Sequence, residues 1–206
     1  MANIDPNMVL EALFPTAVGF FDLGRDLTTD EMDCILDQEK RTNVGNLTST
    51  NSYILSENRL SDLKEFFDHC FNMYLTSIVN PKENIKLRIT QSWLNYTEQN
   101  QHHHKHAHPN SYLSGVFFAK TNNDVDKIFF FKDGYQQLKI PPANWNIWNS
   151  ESWWFSAGQG KLIVFPSSLN HMVESKLDNN LRISIAMNTF PIGSLGSEND
   201  LTQLIL

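Results

Sequence analysis

Five of the seven histidines fall between His102 and His108 (HHHKHAH); the other two are His69 and His171. Such a run has two readings. One is a solvated loop that picks up metal loosely or not at all. The other takes His106 and His108 as a working pair. An H-x-H at the start of a strand puts both imidazoles on one side of the pleat, about 6–7 Å apart along the chain. Two such groups can meet one ion, and a third ligand must come from elsewhere. His171 is the remaining histidine of the strand-rich part and stands at a strand entrance, after the Pro166-Ser167-Ser168 turn. Three ligands on one face of an octahedron leave three positions for a substrate, cosubstrate or O₂, as in facial-triad iron sites.

A second feature lies near the C-terminus. In the strand Leu181 to Phe190, Leu181, Ile183, Ile185 and Met187 share one face, and Arg182, Ser184, Ala186 and Asn188 share the other. The apolar set must be packed. The second set points into a barrel or sandwich interior, where an arginine needs a carboxylate partner. A guanidinium fork beside a hydroxyl suits a bidentate carboxylate. That carboxylate is either a ligand's or an internal Asp or Glu. Glu174 is the nearest internal candidate in sequence, but by strand parity it faces away from His171.

These groups need a scaffold, and the sequence outlines one. Thr16 to Leu23 reads as a short strand. Thr28, Thr29 and Asp30 offer caps for a helix over Glu31 to Arg41. A polar, loop-like stretch from Asn43 to Ser56 holds at most a small strand at Ser52 to Leu55. Asn58 to Val79 carries one apolar stripe, including Leu60, Leu63, Phe67, Cys70 and Tyr74, and ends at Asn80-Pro81. Beyond Pro81, seven runs read as strands: Ile85 to Tyr96, Tyr112 to Ala119, Lys127 to Lys132, Ser152 to Phe155, Lys161 to Phe165, His171 to Lys176 and Leu181 to Phe190. Asp133-Gly134, Pro141-Pro142, Gly158-Gln159-Gly160 and Asp178-Asn179-Asn180 punctuate them. A mainly β chain with N-terminal helices follows, a sandwich or barrel with the helices against one sheet. The Phe-rich run Ile128 to Phe131 and the pair Trp153-Trp154 are expected in the core or the cavity wall.

The chain has 206 residues, 41% of them hydrophobic and 19% charged, enough apolar material for a core in a single domain. We divide it into a helical support region (1–81), the β core (82–190) and a C-terminal tail (191–206). A net charge of −7, with scattered Lys and Arg, disfavours nucleic acid and anionic membranes as partners. No apolar run approaches the roughly 18 residues of a membrane span. The opening residues lack the basic and apolar regions of a signal peptide. Cys34 and Cys70 make no disulfide framework and read as buried helix positions. A cytoplasmic protein is expected.

Taken together, the pieces resemble the iron(II)/2-oxoglutarate-dependent dioxygenases. The closer resemblance is to a small oxygenase family of bacteria and phages, related to prolyl 4-hydroxylases. The residues that carry it are Leu13-Phe14-Pro15-Thr16, Ser92-Trp93-Leu94-Asn95, His106-Ala107-His108-Pro109 with Leu113-Ser114-Gly115-Val116, Gly160 to His171, and Arg182 to Asn188. The resemblance implies a double-stranded β-helix (a cupin-like jelly roll) with iron at its open end. His106 and His171 match the two iron-binding imidazoles, and His108 stands where most of the superfamily has Asp or Glu. Arg182 matches the arginine that holds the distal carboxylate of 2-oxoglutarate, with Ser184 assisting, and Asn95 points into the same pocket. Fe(II), 2-oxoglutarate and O₂ would then hydroxylate an unidentified small-molecule or peptidyl substrate, releasing succinate and CO₂, in the host cytoplasm if the chain is phage-encoded.

The sequence departs from the pattern in two ways. Three imidazoles leave Fe(II) at +2, where a carboxylate would reduce it to +1. His104 shares parity with His106 and His108 and competes for a place. The superfamily also favours tyrosines near Phe117-Phe118, so that contact falls to Tyr112, Asn95 or water. The loop Gln136 to Trp148 is the expected substrate contact. Two other functions compete: a cupin-like three-His metalloenzyme that does not use 2-oxoglutarate, and a non-catalytic jelly-roll binding protein. A homodimer is compatible with all three.

Overall fold

The computed structural model describes residues 8–134, 138 and 140–206. The elements run β1 (Gly19–Asp22), α1 (Thr29–Leu36), β2 (Lys40–Thr42), β3 (Leu47–Ser49), α2 (Ser61–Tyr74), β4 (Lys86–Thr97), β5 (His103–His106), β6 (Leu113–Lys120), β7 (Lys127–Phe131), β8 (Ser152–Ser156), β9 (Lys161–Pro166), β10 (His171–Val173), β11 (Arg182–Ile192), β12 (Ser194–Leu195) and β13 (Leu204–Ile205). Seven strands form a major antiparallel sheet in the order β1-β9-β6-β11-β4-β3-β2, and four form a minor one, β5-β10-β7-β8. Mainly antiparallel strands with few helices bear out the double-stranded β-helix. No helix among the described residues is long and apolar enough to cross a membrane.

Strand parity divides the interior into two cores. Ile183, Ile185 and Met187 of β11 join Leu94, Phe117 and Leu162 on the outer face of the major sheet, under Leu63, Phe67, Cys70 and Phe71 of α2. Val116, Phe118, Ile163 and Phe165 face the other way and meet Ile128 and Phe130 of the minor sheet. Gly115 is dictated by the helix: a Cβ there would lie 2.8 Å from the Phe71 ring. Cys34 and Cys70 are both buried and free.

Several boundaries differ from the sequence reading. The first helix stops at Leu36, because Lys40–Thr42 is drawn off into the edge strand β2. Its start is as expected: Thr28 and Glu31 form a capping box. The long helix begins after a 3₁₀ turn at Asn58–Leu60 and widens into a π turn over Leu75–Val79, closed by left-handed Asn80. No strand forms at Ser52 to Leu55; Ile54–Ser56 is 3₁₀, and the strand is the polar Leu47–Ser49. Polarity hides it: the Thr48 hydroxyl donates to Leu94 O, and Ser49 Oγ accepts from Leu94 N. The N-terminal region is therefore not only helical, since β1, β2 and β3 complete the major sheet, and β11 runs past residue 190 to Ile192.

Trp153 and Trp154 are half exposed rather than core, because β8 is an edge strand. Phe131 also faces outward, under the Lys105 ammonium, and Trp154 lies under Lys127. Of the expected substrate loop, Gln136, Gln137 and Lys139 lie outside the described residues. Trp145, Ile147 and Trp148 are exposed.

Candidate active site

The pocket lies between the sheets. Its floor is the inward face of β4 and β11, where Trp93 pairs with Ala186, Asn95 with Ser184 and Thr97 with Arg182. Its roof comes from the minor sheet, where His106 of β5 pairs with His171 of β10. His108 is also part of the lining. The H-x-H pair therefore ends a strand rather than starting one: His106 closes β5, and His108 lies just beyond, fixed by its backbone N–H donating to Ser167 O at 2.9 Å.

Three imidazoles converge at one end. His106 Nε2 lies 3.1 Å from His108 Nε2, which lies 3.3 Å from His171 Nε2. The other ring nitrogens decide the protonation. His106 Nδ1 donates to His104 O at 2.7 Å and His171 Nδ1 donates to Leu169 O at 3.0 Å, because a carbonyl can only accept. Their Nε2 lone pairs therefore both face His108 Nε2. Burial keeps all three rings neutral, lowering His106 and pushing His108 down to about 4 and His171 to about 3. Two lone pairs aimed at a third imidazole nitrogen suit a shared cation. An ion with Nε2 bonds of about 2.1 Å holds neighbouring ligands about 3.0 Å apart, close to what is seen. These residues fit a metal ion, and Trp93 stacks on His108 at 5.7 Å to hold that ring.

A second trio, His103, His104 and His106, also lies within 4.8 Å and shares His106 with the first. His104 supplies the carbonyl that orients His106, while its own Nδ1 is buried without a partner. The pocket takes in His103 and not His104. The reason is a register shift between the pairs His106–His171 and His103–Val173, which breaks simple alternation along β5. Burial first, then the neighbouring imidazoles, pushes His103 down to about 2.

At the other end, Arg182, Ser184, Asn95 and Thr97 line the pocket. The internal partner of Arg182 is Asp126, not the Glu174 carboxylate. Nη1 donates to Asp126 Oδ1 at 2.8 Å, and Nη2 donates to the Glu174 carbonyl at 3.3 Å. Lys176, fully buried, pairs with Asp126 Oδ2 at 3.3 Å and more closely with Asp178. Asn95 Oδ1 is buried without a partner. Tyr112 does not reach the pocket; it lines a separate surface groove with Pro15 and Tyr74. Sequence reasoning missed His103, Thr97 and Asp126.

Residues 91–188, which contain every one of the expected site residues, match the model of a family described as "Putative 2OG-Fe(II) oxygenase". No curated protein matches. Solved structures share the fold. A 2OG-Fe(II) oxygenase family oxidoreductase from Burkholderia pseudomallei superposes with a TM-score of 0.55 at 11% identity, over 77% of this chain and 74% of that one. HygX from Streptomyces hygroscopicus, with nickel and 2-oxoglutarate bound, gives 0.59 at 9% identity, over 84% and 82%. A Pseudomonas putida prolyl-4-hydroxylase gives 0.52 at 9% identity, over 84% and 92%. The matched segment holds the converging imidazoles and the buried arginine, and the fold is the double-stranded β-helix of these solved oxygenases.

Proposed function

We propose that the protein is an Fe(II)/2-oxoglutarate-dependent hydroxylase of a small molecule or a peptidyl side chain. His106, His108 and His171 would hold the iron. Arg182, Ser184 and Asn95 would hold the distal carboxylate of 2-oxoglutarate. The observation that carries this reading is one pocket with three converging imidazole nitrogens at one end and a buried guanidinium beside a hydroxyl at the other.

When bound, the iron supplies the O₂ activation that turns 2-oxoglutarate into succinate and CO₂ and oxidises the substrate. The chain's own residues do the rest. Hydrogen bonds from Nδ1 of His106 and His171 to backbone carbonyls fix the tautomer that offers Nε2 to the metal. Three neutral ligands leave the cation's full charge to attract an anionic cosubstrate. Arg182 keeps unused N–H donors for a carboxylate even while Nη1 serves Asp126. Asn95, whose Oδ1 lacks a partner, can turn its amide so that Nδ2 donates to the ligand. Val116, Val173 and Ala186 add an apolar part to the lining.

One observation favours a second reading. Arg182 already has an internal carboxylate, Asp126, so a ligand carboxylate is not needed to satisfy it. That suits a three-His metalloenzyme that does without 2-oxoglutarate. Succinate formation separates the two. The purified protein with Fe(II), O₂, 2-oxoglutarate and ascorbate as reductant should yield succinate slowly even without substrate, and His171→Ala should not. Metal-dependent oxidation of a substrate with no succinate would favour the second reading.

A further inference from the structure

Resting on the 2-oxoglutarate reading, we infer that His103 is a further cosubstrate-binding residue, presenting a fixed Nε2–H donor from the roof of the pocket to a carboxylate oxygen. The β2–β3 turn fixes the tautomer. Asn43 Nδ2 donates to Asn46 Oδ1 at 3.1 Å, which settles the orientation of the buried Asn46 amide. Its Nδ2 then faces Thr97 Oγ1 at 3.5 Å and His103 Nδ1 at 3.4 Å. An amide NH₂ can only donate, so His103 Nδ1 accepts and the ring proton sits on Nε2. The same turn anchors the neighbouring backbone, where His102 N donates to Gly45 O at 3.0 Å. Gly45 must be glycine there, with φ +85° and a Cβ position 2.8 Å from His102 O.

His103 Nε2 has no protein partner among the described residues and is not sealed off, while its ring lines the pocket that Arg182, Ser184 and Asn95 share. A nitrogen that carries a proton cannot ligate a metal, so His103 stands apart from the His106, His108 and His171 set although it lies close to His106. The pocket has a use for such a donor. Arg182 and Lys176 are matched by Asp126 and Asp178, so the charge at that end is already balanced. A ligand carboxylate therefore depends on neutral N–H and O–H donors as well as on the guanidinium. Ser184, Thr97 and Asn95 supply them from the floor, and His103 supplies one from the roof.

The test is anaerobic titration of 2-oxoglutarate into the Fe(II)-loaded protein, read by the visible charge-transfer band of the chelate, with Fe(II) affinity measured separately without 2-oxoglutarate. In His103→Phe, Fe(II) should bind as in wild type while the 2-oxoglutarate Kd rises roughly ten- to hundredfold, the worth of a hydrogen bond to a charged group. His103→Gln, which restores an N–H donor, should recover much of the loss. Asn46→Ala, which leaves every imidazole in place, should raise the Kd about two- to tenfold, and it decides the matter if His103→Phe does not fold. An unchanged Kd in both His103→Phe and Asn46→Ala overturns the assignment. So does a parallel loss of Fe(II) affinity in His103→Phe and His103→Gln, which would make His103 a metal ligand. A wild-type protein that binds Fe(II) but shows no band would instead sink the 2-oxoglutarate reading itself.

Discussion

Arg182 and Asp126 are joined across the two sheets. The guanidinium on the major-sheet strand β11 donates from Nη1 to Asp126 Oδ1 at 2.8 Å, just before the minor-sheet strand β7, and both side chains are almost wholly buried. Lys176 and the Asn122 backbone N–H bind the second carboxylate oxygen. Asp126 thus holds the arginine at the pocket and closes the gap between the sheets. Removing one partner of such a pair leaves a buried charge uncompensated. Asp126→Ala should cost roughly 3–5 kcal/mol in chemical denaturation, far more than an exposed ion pair is worth. A loss below about 1 kcal/mol would mean that the pair contributes little.

Metal should stabilise the fold through the converging imidazoles. An ion that binds the native state at a hundredfold excess over its Kd adds about 2.7 kcal/mol. For a chain of this size that raises Tm by roughly 5–10 °C. Ni(II) and Zn(II) should act like Fe(II), since late first-row ions favour nitrogen-rich sites. The rise should vanish with a chelator and be absent in His171→Ala. A Tm that ignores metal would count against the site.

Gly115 is set by the approach of α2, so Gly115→Ala should destabilise by about 1–3 kcal/mol through contact with the Phe71 ring. Phe71→Leu in the same chain should return part of that loss, a coupling that a double-mutant cycle would read directly.

Glu31 gives α1 a pH dependence. The Arg25 guanidinium holds its carboxyl below the ordinary range, and the Thr28 N–H adds to this. A lowered folded-state pKa stabilises above the unfolded value and is lost as pH falls through the folded one. Glu31→Gln should therefore cost on the order of 1 kcal/mol at pH 7. The difference from wild type should shrink as pH falls below the ordinary glutamate range and through the lowered folded-state value. Denaturation curves of both proteins at several pH values would check it.

The sequence carried much of this because the strongest signals were local. The H-x-H spacing and the alternation Arg182, Ser184, Ala186 are short-range patterns, and the structure puts them on the roof and floor of one pocket. What stayed hidden depends on distant pairing. Asp126 is 56 residues from Arg182, in the turn between β6 and β7, and nothing in its own neighbourhood marks it. His103 reaches the pocket only because β5 shifts register, which no period-2 pattern reveals. Leu47–Ser49 is a strand whose hydroxyls bind the backbone of β4, so it reads as a loop. Trp153 and Trp154 look like core by composition, and only the edge position of β8 explains their exposure.

In this reading one pocket would bind Fe(II) through His106, His108 and His171 and 2-oxoglutarate through Arg182. Anaerobic Fe(II) titration with and without 2-oxoglutarate tests it most directly, with wild type beside His171→Ala and Arg182→Ala. A visible charge-transfer band should need 2-oxoglutarate, be lost in His171→Ala and require far more 2-oxoglutarate in Arg182→Ala. Tight iron binding with no band at any 2-oxoglutarate concentration, or a band that survives His171→Ala unchanged, would contradict it.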